Sequence, residues 1–219
     1  MRTVVVVHTG PATVLPIKQK FQEILPDVRV VNIMDDSLLN DVMAAGHLTE
    51  AVTGRIFSYM QLGQQMGAIA LLNACSSVGE AASAARPAIS IPIIKIDDVM
   101  AAQAVAAGPR IGVVATVRTT LDPTIRLIKA KAAGAGRSIE VMEALAEGGF
   151  QALLDGRPEL HDEIVKRTIQ SLADKVDVIV LAQVSMARLI PSLTDMNVPV
   201  LSSPQSGVEA VRDTLASLH

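Results

Sequence analysis

Polar and apolar landmarks of this chain recur at one fixed spacing, and that repetition limits the folds open to it more than any other feature. Thr9 and Thr13 follow the apolar run Val4-Val5-Val6-Val7, and 107 residues later Thr116 and Thr120 follow Gly112-Val113-Val114. Leu71-Leu72-Asn73-Ala74-Cys75 is echoed by Ile179-Val180-Leu181-Ala182-Gln183 at a spacing of 108, and Ile91-Pro92-Ile93 by Val198-Pro199-Val200 at 107. The landmarks include polar residues, so the echo reads as a duplication rather than as coincidence among Val-rich strands. Short β-branched runs alternate with Ala-rich stretches of helical length, the pattern of a parallel sheet with helices on both faces. Strands are expected near 2–8, 28–33, 68–73, 91–94, 111–115, 139–142, 177–181 and 198–201. Helices are expected near 13–25, 47–66, 77–85, 98–106, 121–134, 160–174, 185–191 and 206–217. The expected fold is α/β, with two similar lobes, each a mainly parallel sheet flanked by helices, related by pseudo-twofold symmetry. The lobes are 1–100 and 101–205, with the final segment 206–219 packing back on the first.

Half of the 219 residues are hydrophobic and 19% are charged, which suffices for a large core. The single cysteine excludes an intramolecular disulfide, and the start shows no basic stretch followed by a cleavable apolar segment, so a cytoplasmic location is expected. No apolar run approaches the roughly 18 residues of a membrane helix, and no membrane association is expected. A net charge of −3 and 2% aromatic residues, none of them Trp, lack the basic footprint and stacking platforms of nucleic-acid binding. The same scarcity of aromatics disfavours a large planar ligand and suits a small polar one. The Ala- and Met-rich stretches 47–66 and 98–106 could supply an apolar contact surface, so a homodimer or higher homo-oligomer is expected. The methionines read mostly as core filler, Arg55 as a solvated surface residue, His47 and His161 as exposed helix residues, and His219 as terminal.

Ligands of open parallel sheets bind beyond the carboxyl ends of the strands, and in a duplicated α/β chain the cleft between lobes is the expected place. Thr9, Thr13, Cys75, Ser76, Ser77, Thr116, Thr119, Thr120, Gln183, Ser185, Ser202 and Ser203 all fall in strand-to-helix turns at that rim. Hydroxyls and helix-start amides bind anions, which makes a carboxylate the natural guest, although Ser and Thr also cap helices with no ligand at all. Cys75 ends an apolar strand where Ser76-Ser77-Val78-Gly79 begins a helix. A thiol there is expected to ionise below its ordinary value of about 8.5 and to act as base or nucleophile; the alternative is an inert core cysteine.

The opening His8-Thr9-Gly10-Pro11-Ala12-Thr13 and the blocks Asn73-Ala74-Cys75-Ser76-Ser77-Val78-Gly79, Ala115-Thr116-Val117-Arg118-Thr119-Thr120 and Leu181-Ala182-Gln183 carry a further signal. In order and spacing, over nearly the whole chain, they resemble the aspartate/glutamate/hydantoin racemase superfamily, which also contains maleate isomerase and arylmalonate decarboxylase. The resemblance implies a cofactor-independent enzyme that binds a small carboxylate between two lobes. It implies a cysteine from each lobe on opposite sides of the α carbon, and substrate contacts from the quoted blocks, Asn73 included. Cys75 matches the first cysteine, and Gln183 stands where the second would be. A carboxamide cannot cycle a proton, so symmetric two-thiol racemisation is excluded, while Gln183 can still hydrogen-bond a substrate or a developing enolate. His8 and Lys95 are the available unlike catalytic partners, and Arg118 is suited to a substrate carboxylate. No metal-ligand spacing, Gly-x-Gly-x-x-Gly or P-loop is present, so no metal, nucleotide or flavin is expected. The leading expectation is an isomerase or racemase-like enzyme, with a decarboxylase, a hydrolase or a non-catalytic carboxylate binder as alternatives.

Overall fold

The structure is a computed structural model and describes residues 2–218, so His219 lies outside the described residues. Eight strands form two four-stranded sheets, and every pairing is parallel. The strands are β1 (Thr3–His8), β2 (Arg29–Met34), β3 (Ala70–Asn73), β4 (Ile93–Lys95), β5 (Arg110–Ala115), β6 (Glu140–Leu145), β7 (Val178–Leu181) and β8 (Val200–Ser202). The α-helices are α1 (Val14–Ile24), α2 (Ser37–Ala45), α3 (Glu50–Gln65), α4 (Gly79–Ala85), α5 (Asp98–Ala107), α6 (Arg118–Gly134), α7 (Gly149–Leu154), α8 (Pro158–Gln170) and α9 (Ser203–Ala216). The chain forms two compact units: one runs through Asp98 and takes back the chain from Pro204, and the other is Val99–Ser203.

The first unit orders its strands β2-β1-β3-β4. Val4 to Val7 are fully buried, as a run apolar on both faces requires of a central strand, whereas β2 at the edge leaves every second or third side chain exposed. On one face Val5, Val7 and Leu71 pack against Leu38 and Val42 of α2 and Val52, Ile56 and Met60 of α3. Within α9, Val208, Val211 and Leu215 are buried at helical spacing. Gly207 makes a close approach possible there, since a Cβ would lie 2.8 Å from the Ile96 carbonyl oxygen.

The second unit repeats this plan as β6-β5-β7-β8. Val4 pairs with Ala70 and Ile111 with Val178; Leu71 pairs with Ile93 and Ile179 with Val200, so the spacing of 107 to 108 is a repetition of register. Successive residues of β5 alternate between two apolar layers, Ile111, Val113 and Ala115 facing α6 residues Leu121 and Ile128, and Val114 facing α8 residues Val165 and Ile169.

Local departures from the sequence reading have simple causes. Helix α2 was not anticipated, because its nine residues bury only Leu38 and Val42 before Gly46 stops the helix with φ 73°. The six residues of α7 were missed for similar reasons. Strand β6 continues past residue 142 because Glu143 sits in an edge strand that tolerates a charge. Helix α3 starts at Glu50, where the Thr49 hydroxyl accepts the Val52 N–H at 3.2 Å, so His47 is exposed but precedes the helix. Residues 184–192 form a 3-10 segment rather than an α-helix. His161 is fully buried, contrary to expectation, with Nδ1 2.9 Å from Asp162 Oδ1 beneath Arg188. Arg55 is only partly solvated: it binds the Asp35 and Asp41 carboxylates and the Ser37 hydroxyl. Met60, Met100 and Met186 fill core positions, but Met34, Met43 and Met66 are exposed. The apolar face of α5 is used up inside the second unit, where Met100, Ala101, Ala104 and Val105 are buried. No described helix is long and apolar enough to cross a membrane.

Candidate active site

Each sheet reverses its strand order at one place, between β1 and β3 in the first unit and between β5 and β7 in the second. Beyond the carboxyl ends of the strands at such a reversal, the two following turns diverge and leave room for a ligand. In the first unit these turns carry Thr9 and Cys75, and in the second Thr116 and Gln183.

The Ala74 N–H bonds the Val7 carbonyl at 3.0 Å, which continues the parallel register and sets Thr9 beside Cys75. Cys75 is half-buried against the apolar layer that includes Val5, Val7 and Leu71. Its backbone is extended and opens the short 3-10 turn Ser76–Val78. The thiol receives hydrogen bonds from the Thr9 side chain, the Ser77 N–H and side chain, and the Val78 N–H. Burial nevertheless pushes the Cys75 thiol up, outweighing those four stabilising bonds. The expected depression is therefore corrected. A three-residue turn followed by the seven-residue α4 has little dipole to offer, while the apolar layer removes water from the sulfur.

Side chains alternate across a strand, so His8 faces away from Thr9. Its Nδ1 lies 2.6 Å from Thr13 Oγ1 and its Nε2 2.9 Å from Asn32 Oδ1. Burial lowers its pKa against the opposing effect of the Asn32 bond, which keeps the ring neutral at neutral pH. The structure thus joins His8 to Thr13 rather than to Cys75. Asn73 Nδ2 donates to the Cys75 carbonyl at 2.8 Å and steadies the turn. Lys95, paired with Asn73 in register, is buried, and its Nζ lies 3.3 Å from Asp98 Oδ1. Ser76 and Ser77 are buried beside Cys75.

Sequence reasoning did not single out Asp97. It is buried just beyond β4 and bonded to the Ser76 side chain. Burial pushes its carboxyl up, opposed by that bond and by Lys95. A carboxyl just past a strand end was the only sequence signal available.

In the second unit Gln183 has the same extended backbone as Cys75 and opens the 3-10 segment Val184–Ser192. Its Oε1 accepts the Thr116 N–H at 2.6 Å and the Thr116 hydroxyl at 2.9 Å. A backbone N–H can only donate, which fixes the orientation of the amide and turns the two Nε2 donors away from Thr116. Thr116 is itself held by close packing, since a Cβ on Gly149 would lie 2.9 Å from its Cγ2. Thr120 is buried, and the Thr119 hydroxyl is buried without a hydrogen-bond partner among the described residues. Arg118 does not turn inward: its side chain is 53% exposed and lies 2.9 Å from Glu143 Oε1 and 3.8 Å from Asp122 Oδ1. Ser185 and Ser202 are half-buried and Ser203 is buried. No cluster of three or more His, Cys, Asp or Glu able to hold a metal occurs among the described residues.

The sequence profile of the family described as Asp/Glu/Hydantoin racemase matches residues 4–211. The fold is similar to a glutamate racemase from Bacillus anthracis, with TM-score 0.76 and 20% identity over 99% of this chain and 82% of that one. It is similar to an allantoin racemase from Klebsiella pneumoniae, with TM-score 0.73 and 19% identity over 99% and 88% of the two chains. A variant of arylmalonate decarboxylase in a sulfate-associated form superposes with TM-score 0.62 and 19% identity over 97% and 93%. No curated protein matches the sequence.

Proposed function

The chain belongs to the Asp/Glu/hydantoin racemase family, and from that premise we propose a cofactor-independent, isomerase-type enzyme in which Cys75 moves a proton at the carbon beside a small substrate's carboxylate. The observation that carries this reading is the pair of turns at the two strand-order reversals. One presents a thiol held by hydroxyl and N–H donors, and the other a carboxamide whose oxygen is occupied and whose N–H groups are turned away from Thr116. Cys75 takes the proton: the C–H bond breaks, S–H forms, and the electron pair moves into the carboxylate as an enediolate. Gln183 Nε2, whose amide oxygen is taken by Thr116, hydrogen-bonds the substrate oxygens, most strongly when that charge has developed. On a substrate whose next carbon bears an oxo group, the thiol then returns the proton to that next carbon on the same face while the proton of the α-hydroxyl passes to the oxo oxygen. A single base thus moves hydrogen between adjacent carbons; returned to the carbon it left, the proton would only exchange with solvent. A raised thiol pKa makes the thiolate a stronger base and leaves less of it at neutral pH, so kcat/KM should rise as the pH climbs toward the Cys75 value.

One observation favours a second reading, a decarboxylase. A thiol pushed up by burial carries its proton at neutral pH and can deliver it to an enediolate after carbon dioxide leaves. The two readings have opposite pH signatures, because proton delivery requires the thiol form and its rate falls above the Cys75 value. The separating experiment offers small mono- and dicarboxylates and measures carbon dioxide release and product formation between pH 6 and 10. Isomerisation without gas on a rising limb supports the first reading, and gas release on a falling limb the second. Ligand binding with neither would mean a carboxylate binder and would sink both. A homo-oligomer in a reducing cytoplasm completes the proposal, with exposed Leu62 and Met66, one turn apart at the end of α3, supplying an apolar contact.

A further inference from the structure

The repeated register allows the rim of β3 and β4 to be compared position by position with that of β7 and β8. Asn73 and Lys95 are register partners in the first unit, and Leu181 and Ser202 in the second. At the same spacing, Ser76 corresponds to Val184 and Asp97 to Pro204. The β7–β8 edge and the chain that follows it therefore carry mostly apolar side chains, and the architecture does not call for a buried amide, ammonium and carboxyl at such an edge. The first unit buries all four polar residues, and leaves Asn73 Oδ1 and Asp97 Oδ1 without a hydrogen-bond partner among the described residues. An unmatched buried polar atom costs about 1 to 3 kcal/mol. Two of these residues brace the Cys75 turn directly, Asn73 through the Cys75 carbonyl and Asp97 through the Ser76 side chain.

We propose that Asp97 is a positioning residue for Cys75: by accepting the Ser76 hydroxyl it locks the Ser76–Val78 turn in the form whose Ser77 and Val78 donors converge on the sulfur. The inference rests on the reading of Cys75 as the reactive group. Asp97 itself is faced by Lys95 on β4 and Asp98 on α5, with Arg86 Nη2 3.5 Å beyond Asp98. Burial raises its carboxyl pKa while Ser76 and Lys95 oppose the rise. The role is that of an acceptor rather than a charge, so an amide oxygen should perform it.

The test is a pH titration of thiolate absorbance near 240 nm on the intact protein. The chain has one cysteine and one tyrosine, and tyrosinate is followed separately near 295 nm, so the step at 240 nm without a counterpart at 295 nm belongs to Cys75. Asp97→Ala should raise the midpoint by about one pH unit as the donors disengage. Asp97→Asn should stay within a few tenths of a unit of the wild type. Ser76→Ala should reproduce the alanine shift, and the double variant should add nothing. An unchanged or lowered midpoint in Asp97→Ala, or an Asp97→Asn that behaves like Asp97→Ala, overturns the proposal. If Asp97→Ala does not fold, Ser76→Ala and Asp97→Asn decide by the same criteria. Should the shifts occur as stated while Cys75→Ser leaves turnover intact, the positioning role stands and the reading of Cys75 as the reactive group fails.

Discussion

Gln183 is where single-residue chemistry is most constrained, because Thr116 dictates which end of its amide it meets. Gln183→Ala removes both Nε2 donors and should lower kcat/KM by about 2.7 to 4 kcal/mol if they stabilise an oxyanion, less if they only orient substrate. Gln183→Glu is more discriminating: a carboxylate still accepts both Thr116 bonds but offers no donor and repels an anionic substrate. It should raise KM at least about tenfold, about 1.4 kcal/mol, without lowering the melting temperature. An unaltered KM would mean that this side chain does not meet substrate. The places of Thr9, Cys75, Thr116 and Gln183 beyond the strand ends were legible in the sequence because apolar β-branched runs mark where the strands of a parallel sheet stop. The bonds of His8 to Thr13 and Asn32 were not legible, because Asn32 comes within reach only through the β1–β2 pairing. The pairing of Arg118 with Glu143 was not legible, because the two are 25 residues apart and nothing local shows that they lie within reach. Asp97 gave no local sign that its neighbour in space would be Ser76.

Among the elements, α3 is fastened to the end of β2 by a cluster that sequence patterns could not reveal, since Arg55 and Tyr59 are 20 and 24 residues from Asp35. Asp35 accepts the Tyr59 hydroxyl at 2.6 Å, the Ser37 hydroxyl at 2.7 Å and the Arg55 guanidinium. Burial alone would raise its pKa, yet the bonds from Tyr59, Ser37 and Arg55 bring it from 3.8 down to about 2. A carboxyl depressed on folding stabilises the native state fully above its unfolded value, and that stability is lost as pH falls through the folded value. Acid should therefore weaken the protein between about pH 4 and pH 2. Asp35→Asn should remove about 1 to 2 kcal/mol at pH 7 and flatten that part of the profile, as read by urea unfolding. Equal acid sensitivity in the variant would assign the loss to other groups. The strands themselves were readable because four consecutive apolar β-branched residues have few homes other than a covered sheet. The short helices α2 and α7 were not, because fewer than three turns leave too little periodicity to recognise.

At the scale of the whole molecule, the chain is one architecture used twice, and its two uses have diverged at the rim of the sheet. Register, strand order and the positions of Thr9 and Thr116 are retained, whereas the thiol, the buried amide, the lysine and the carboxyl belong to the first unit alone. The duplication was visible in the sequence because register demands constant spacing. The imbalance of buried polar groups needed the structure, which says what each repeated position touches. Light scattering at micromolar concentration should report a dimer or larger assembly, and Leu62→Glu with Met66→Glu should shift it toward monomer. A monomeric wild type would remove the oligomer from the proposal. The central claim, one thiol acting on one face of a small carboxylate, is tested most directly by incubating the enzyme with candidate carboxylates in deuterium oxide. Proton NMR with a chiral analysis then reads where the label enters. The account predicts one deuterium at the carbon beside the carboxylate, delivered from a single face, and no label with Cys75→Ser; equal labelling of both faces, or undiminished labelling in that variant, would contradict it.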